Sequence, residues 1–212
     1  KHLRKEKAIV GGTKQINIDR IKTLKPDIVL CNKEENTKSI IEALEAIAPI
    51  HISDIANLED CYKLISMYGE LFNAEAIALS IVSRIQKERQ TFKSKNKTNK
   101  KLKVAYFIWK NPWMVIASNT FINYMLSEAG FINVFEKEER YPEVDLNDTR
   151  LKKTDTIFLS SEPYPFKEKH ILELQMLFPN KQIMIVNGEL FSWYGSRLLK
   201  SYTYFESLHG LK

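Results

Sequence analysis

Four histidines, two cysteines and scattered acids are the side chains with which this 212-residue chain would do metal or nucleophilic chemistry. His2, His51, His170 and His209 lie far apart, and none has a partner at metal-ligand spacing. His51 sits inside the apolar run Ile50-His51-Ile52, the setting of a hydrogen-bonded structural histidine rather than a ligand. Cys31 and Cys61 cannot form a zinc site by themselves and read as buried free thiols, or at most as one bridge. Gly11-Gly12-Thr13-Lys14 lacks the first glycine of a phosphate loop. Ser160-Ser161-Glu162 lacks the glycines of a nucleophile elbow. No metal site, no resident cofactor and no catalytic constellation is therefore expected, and the chain reads as a non-enzyme.

The second half does offer aromatic loops. Trp109-Lys110-Asn111-Pro112-Trp113, Pro163-Tyr164-Pro165-Phe166 and Phe191-Ser192-Trp193-Tyr194-Gly195 each follow a predicted strand, and Arg140-Tyr141-Pro142 lies in a further loop. Loops after the carboxyl ends of strands in an open α/β sheet face the binding crevice. The rings either pack the lobe internally or wall a site for a large flat ligand. Taken as a group they favour a wall, with Lys110, Glu189 and Arg197 at its polar rim.

Positioning such loops requires a sheet, and the pattern supplies one. Asn17 caps a helix running to Leu24, with Ile18, Ile21 and Leu24 on one face, and Pro26 ends it. Asp27–Cys31 reads as a strand buried on both faces. A helix over 37–48, a strand at 50–52 and a helix over 58–72 follow. From Asn73 to Lys95 apolar residues recur at helical spacing without Gly or Pro, which predicts a helix of about 30 Å. Strands are then expected at 104–109, 156–159 and 183–186, and helices at 120–129, 167–178 and 196–208. The alternation means an α/β fold. Ile18–Leu30 and Leu146–Phe158 share one order of elements, and a constant offset places Asp27 on Asp155, Lys25 on Lys153 and Asp19 on Asn147. The expected organisation is an N-terminal α/β lobe over 1–72, a connecting helix with polar linker over 73–101, and a C-terminal α/β lobe over 102–212.

Composition bounds the rest. Hydrophobic content of 44% and charged content of 27% are globular values. No apolar run approaches the roughly 18 residues of a membrane span. The net charge of +6 admits an anionic partner. However, the basic residues are dispersed, and the one dense run (Lys93, Lys95, Lys97, Lys100, Lys101, Lys103) reads as a solvated linker, not a nucleic-acid site.

Several segments resemble the class III substrate-binding proteins of ABC importers, which take up vitamin B12, haem and ferric siderophores. They are Val10-Gly11-Gly12-Thr13, Asn17–Ile21 running into Leu24–Val29, Thr120-Phe121, Ala129-Gly130, Asn133–Phe135 and Arg140–Val144. Ser160–Pro163 and Phe191–Arg197 are similar to the helical-backbone metal receptors within that family. The resemblance implies two Rossmann-like lobes joined by one long helix, with a ligand cleft between them. It places cleft-facing positions at Thr13 and Tyr141, of which only Tyr141 is aromatic, and an acidic one at Glu189. It places permease-docking acids at Asp19 and Asn147; Asn147 is uncharged, with Asp148 adjacent. It also implies a further strand and helix ahead of Lys1, so the first lobe is expected to be incomplete and to expose apolar surface.

Sequence and resemblance together predict a binding component of an ABC importer that captures a metal chelate and delivers it to a permease. The candidate cargo is a corrinoid, haem or ferric siderophore, held by Thr13, Trp109, Trp113, Tyr141, Glu189, Trp193 and Arg197. No nucleic acid is expected as a partner, and the membrane is reached only through the permease or an anchor. Residence in the periplasm or on the outer face of the cytoplasmic membrane is implied by the resemblance alone. Two alternatives stand: a nucleotide-dependent transferase on a two-lobe frame, and a ligand sensor without a permease.

Overall fold

The computed structural model describes residues 3–97 and 101–209; Lys1, His2 and Lys100, named above, lie outside them. The chain packs as two compact units, 1–54 and 55–212.

The first unit begins with a short helix α1 (Leu3–Glu6) and an antiparallel hairpin of β1 (Gly11–Gly12) and β2 (Gln15–Ile16). Helix α2 (Ile18–Leu24) is capped as expected, with the Asn17 side chain accepting from the Arg20 backbone N–H at 2.9 Å. It ends on Lys25 in the left-handed conformation, one residue before Pro26. Strand β3 (Val29–Asn32), helix α3 (Lys38–Glu45) and strand β4 (Ile50–Ser53) follow, and β3 and β4 pair in parallel. Ile21, Cys31 and Leu44 form the core. The strand at Asp27–Cys31 is not buried on both faces: its sheet has two strands, and Leu30 is 43% exposed.

The second unit opens with α4 (Leu58–Leu71) and the 21-residue α5 (Glu75–Lys95), a long helix over the stretch where helical spacing was read. They lie close enough that a Cβ on Gly69 would stand 2.6 Å from the Ala78 Cβ. This packing groups α4 with the second unit, whereas the order of elements drew the boundary at residue 72. Lys93 and Lys95, read as linker residues, sit in the last turn of α5, where cations favour the helix dipole. Both are engaged: Lys93 with Glu128 at 3.0 Å and Lys95 with Glu206 at 3.1 Å.

Beyond α5 come β5 (Leu102–Trp109), β6 (Met114–Val115), α6 (Phe121–Glu128), β7 (Phe131–Asn133), α7 (Thr149–Lys152) and β8 (Thr156–Ser160). They are followed by α8 (Glu168–Leu177), β9 (Gln182–Val186), α9 (Glu189–Ser192), a 3-10 turn at Gly195–Arg197 and α10 (Leu198–His209). Strands β7, β5, β8 and β9 run parallel in that order, and β6 pairs antiparallel with the far end of β5. The two-residue period of β5 splits its side chains between two cores. Val104, Tyr106 and Ile108 join Phe158, Phe191 and Phe205 under α5, α6, α9 and α10. Ala105 and Phe107 join Ile157, Leu159, Phe166 and Leu174 under α8. Each fully buried side chain of this kind contributes about 1.5–3 kcal/mol, so both faces hold the sheet rigid beneath its loops. The α/β class read from the sequence is the observed one.

The internal correspondence extends to the helix ends. Lys25 and Lys153, which share one position in the repeat, are the C-caps of α2 and α7. Cys31 and Cys61 are both free and buried, and burial raises both thiols above their ordinary value.

Candidate functional site: a polar recess at the carboxyl ends of β8 and β9

Where β8 and β9 end, the second unit opens into a recess of about 570 Å³ bordered by Ser161, Glu162, Asn187, Glu189, Arg197 and Tyr204. The two strands deliver their loops side by side, with Ser161 N–H donating to the Val186 carbonyl at 2.9 Å. Gly188 makes the close approach feasible: a Cβ there would lie 2.4 Å from Ser160 Oγ and 2.7 Å from Glu162 Cγ. Its N–H donates to Ser161 Oγ at 3.0 Å. On the far side the Asn187 N–H donates to Tyr204 Oη at 2.8 Å. Burial raises the Tyr204 phenol, which therefore stays protonated at neutral pH.

Two carboxylates at the recess are held differently. Glu162 Oε1 accepts from Ser192 Oγ and from the Trp193 indole N–H, both at 2.9 Å, so its partners are neutral. This tether holds the Trp193 ring, which is 54% exposed. Glu189 instead pairs with the Arg197 guanidinium, whose Nε is buried without a hydrogen-bond partner. Beneath them the buried Tyr106 hydroxyl donates to Ser160 Oγ at 3.1 Å and anchors the end of β8. Carboxylate acceptors and a guanidinium lining the recess, with an exposed indole hydrogen-bonded to one of those carboxylates, can hold the polar rim and flat face of a small molecule.

Of the residues expected at a site, Glu189 and Arg197 line this recess, and Trp193 is tied to its rim through Glu162. Trp109 and Trp113 join a second group. Trp113 stacks on Phe166 with ring centroids 6.0 Å apart and meets Phe107 edge-on at 5.4 Å. Trp109, 39% exposed, meets Tyr164 edge-on at 5.4 Å. Lys110 lies 5.1 Å above the Trp113 ring and pairs with Glu173. The buried His170 closes this group: its Nδ1 accepts from the Lys167 N–H at 2.9 Å. Tyr141, half-buried, carries the Arg140 guanidinium 5.3 Å from its ring.

Thr13 belongs to the first unit, at the hairpin turn, and donates to Glu35 Oε2 at 3.0 Å. Asp19 is exposed in the first turn of α2. Asn147 is exposed, and its backbone and side-chain N–H groups donate to Asp145 Oδ1 at 2.8 and 3.1 Å. Asp148 caps α7 and is held by Arg150, whose hydrogen bonds and charge keep its carboxyl below the ordinary value.

Sequence reasoning quoted Ser160-Ser161-Glu162 without assigning it a site, and passed over Asn187 and Tyr204. The signal for the first was its position directly after a strand. Asn187-Gly188 after β9 carried the same signal, but Tyr204 enters from α10, seventeen residues on, and only packing brings it in.

A family model described as periplasmic binding protein matches residues 1–174. The chain is 25% identical over 153 residues to a vitamin B12-binding protein of Vibrio vulnificus (strain YJ016), an alignment covering 71% of this chain and 56% of that relative. It thus spans little more than half the length of the curated relatives it matches. The fold is similar to that of a periplasmic vitamin B12-binding protein of Vibrio cholerae (TM-score 0.76, 20% identity, 99% of this chain and 85% of that one). It is similar also to a periplasmic haem-binding protein from Pseudomonas aeruginosa (TM-score 0.78, 15% identity, 98% and 80%). With more than three quarters of its residues under one family model, this chain belongs to the periplasmic binding protein family.

Proposed function

We propose that this protein is the binding component of an ABC importer, resident outside the cytoplasmic membrane, that captures a metal chelate and presents it to a permease. The cargo is a corrinoid or an iron chelate such as haem or a ferric siderophore. The observation that carries the reading is the recess at the ends of β8 and β9, with an indole face beside hydrogen-bonding groups, in a chain of this family. The vitamin B12-binding and haem-binding similarities support the ligand class. In this reading residues 1–72 and 102–212 act as the two lobes and 73–101 as their connector. Glu189, Trp193 and Arg197 contact the chelate, Trp109 and Tyr141 extend the wall, and Asp19 with Asn147 or Asp148 docks on the permease.

The test is a tryptophan-fluorescence titration of the purified chain with cobalamin, haem and several ferric siderophores, controlled for inner-filter absorption and repeated by calorimetry. Saturable quenching by one chelate is expected; no binding to any of them would contradict the reading.

A further inference from the structure

The recess carries a charge pattern that bears on which chelates it accepts. Among the described residues lining it, two carboxylates, Glu162 and Glu189, face one guanidinium, Arg197, a formal surplus of one negative charge. Arg197 is already bound to Glu189. Among the described residues, Glu162 meets only the neutral Ser192 hydroxyl and Trp193 indole N–H, and none of them sets a cation against it. The remaining polar lining groups, Ser161, Asn187 and Tyr204, are neutral, and the raised phenol of Tyr204 keeps it so. Lys110 points its charge elsewhere, toward Glu173. The exposed indole face of Trp193 beside Glu162 adds a surface that attracts cations.

We infer that this recess selects its chelate by charge, taking neutral or cationic chelates with N–H donors on the rim and disfavouring anionic ones, with Glu162 as the residue that sets the preference. The inference rests on the proposed receptor function and goes further than it, because a metal-chelate receptor need not discriminate charge. A negative rim group on the ligand would meet an uncompensated carboxylate in a partly desolvated site, where like charges repel more strongly than in water. An amide or ammonium would instead donate to Glu162 or stack on Trp193.

The test uses two ligand series matched in shape and varied in charge. One is a linear ferric trihydroxamate with its terminal amine free, acetylated or succinylated. The other is a corrinoid with one side-chain amide intact, hydrolysed to carboxylate, or extended to an amine. Dissociation constants are measured by calorimetry at low and high ionic strength, with haem as a dianionic reference. In whichever series binds, affinity is expected to fall from cation to neutral to anion, about three- to fivefold per unit charge at low salt. The steps should shrink as salt screens them. Glu162→Gln keeps an acceptor for Trp193 and Ser192 while removing the charge, and it should compress the ratio of cation to anion affinity at least threefold. Equal or reversed order, an unaltered ratio in Glu162→Gln, or binding of haem alone would overturn the inference while leaving the receptor function standing. Failure of every chelate to bind would overturn both.

Discussion

Two aromatic loop clusters sit at the carboxyl ends of parallel strands in the same sheet, and they meet opposite fates. After β5 and β8, Trp113, Tyr164 and Phe166 pack on one another and on Phe107, with His170 closing the group from α8. After β9, Trp193 stays more than half exposed and is fixed by a hydrogen bond to Glu162 instead of by neighbouring rings. The first arrangement stabilises the fold through buried area; the second holds a ring at a solvent-facing recess at little cost in stability. A pair of carboxylates repeats the contrast. Glu128 is nearly buried, and Arg89 and Lys93 bind it at 2.6 and 3.0 Å, which ties α5 to α6. Glu162 has only neutral donors and borders the recess. Exposure and the charge of the partners, more than residue type, separate scaffold from site.

The largest expected effect that sharpens this contrast is on stability. Phe166→Ala should cost about 3–4 kcal/mol in denaturant unfolding and leave the recess chemistry in place. Trp193→Ala should change stability by less than about 0.5 kcal/mol but weaken chelate binding about tenfold, the loss of a ring contact and its tether. Equal destabilisation by the two variants would erase the distinction.

The carboxylates give the next effect. Burial by itself would raise the Glu128 carboxyl, yet the hydrogen bonds and charges of Arg89 and Lys93 outweigh it and hold it below its ordinary 4.5. A lowered acid contributes stability above its unfolded value that is lost as pH falls through the folded one. Glu128→Gln should therefore cost about 1–2 kcal/mol at neutral pH, with the difference from wild type closing as the pH drops below 4.5. Glu162→Gln should unfold within about 0.5 kcal/mol of wild type.

A smaller effect comes from His170 in the packed cluster. Burial, then Lys110 and Lys169, lower its imidazole from the ordinary 6.5, and the Lys167 N–H requires Nδ1 to be unprotonated. A base lowered on folding adds stability above its unfolded value, so the chain should lose stability as pH falls below 6.5. His170→Gln should flatten that slope in urea midpoints measured from pH 7.5 to 5.5, while Trp193 variants should keep it.

The smallest stability effects separate the two proposed docking acids. Asp148→Lys removes a helix cap bonded to Arg150 and should cost about 1 kcal/mol. Asp19→Lys, on an exposed first turn, should cost less than about 0.5 kcal/mol. Both should lower stimulation of a reconstituted transporter without changing chelate affinity in solution; unchanged stimulation would remove the docking assignment.

Much of the fold was legible because the signals were local. Asn17, Asn57 and Thr120 each accept a backbone N–H at the start of the helix that follows them. The long apolar run at 104–109 announced a strand, and in the structure its side chains divide between two cores. The strand at Asp27–Cys31 carried the same signal but has an exposed face, since a run of apolar residues does not state how many strands its sheet contains. At the candidate recess, Glu189 and Arg197, with Trp193 tied to its rim, were legible as neighbours because they follow one strand closely. Glu162 and Tyr204 were not assigned, because their meeting depends on how β8 and α10 pack beside β9. Trp113 and Trp193 looked alike in sequence, and only burial told them apart.

The central claim is that the recess beside Trp193 holds the chelate, and the most direct measurement compares chelate titrations of Trp193→Phe, Trp113→Phe and wild type by tryptophan fluorescence. The account predicts that Trp193→Phe loses most of the saturable quenching and that Trp113→Phe retains it, at unchanged unfolding midpoints for Trp193→Phe. Full quenching in Trp193→Phe together with its loss in Trp113→Phe would place the ligand at the packed cluster and contradict the account.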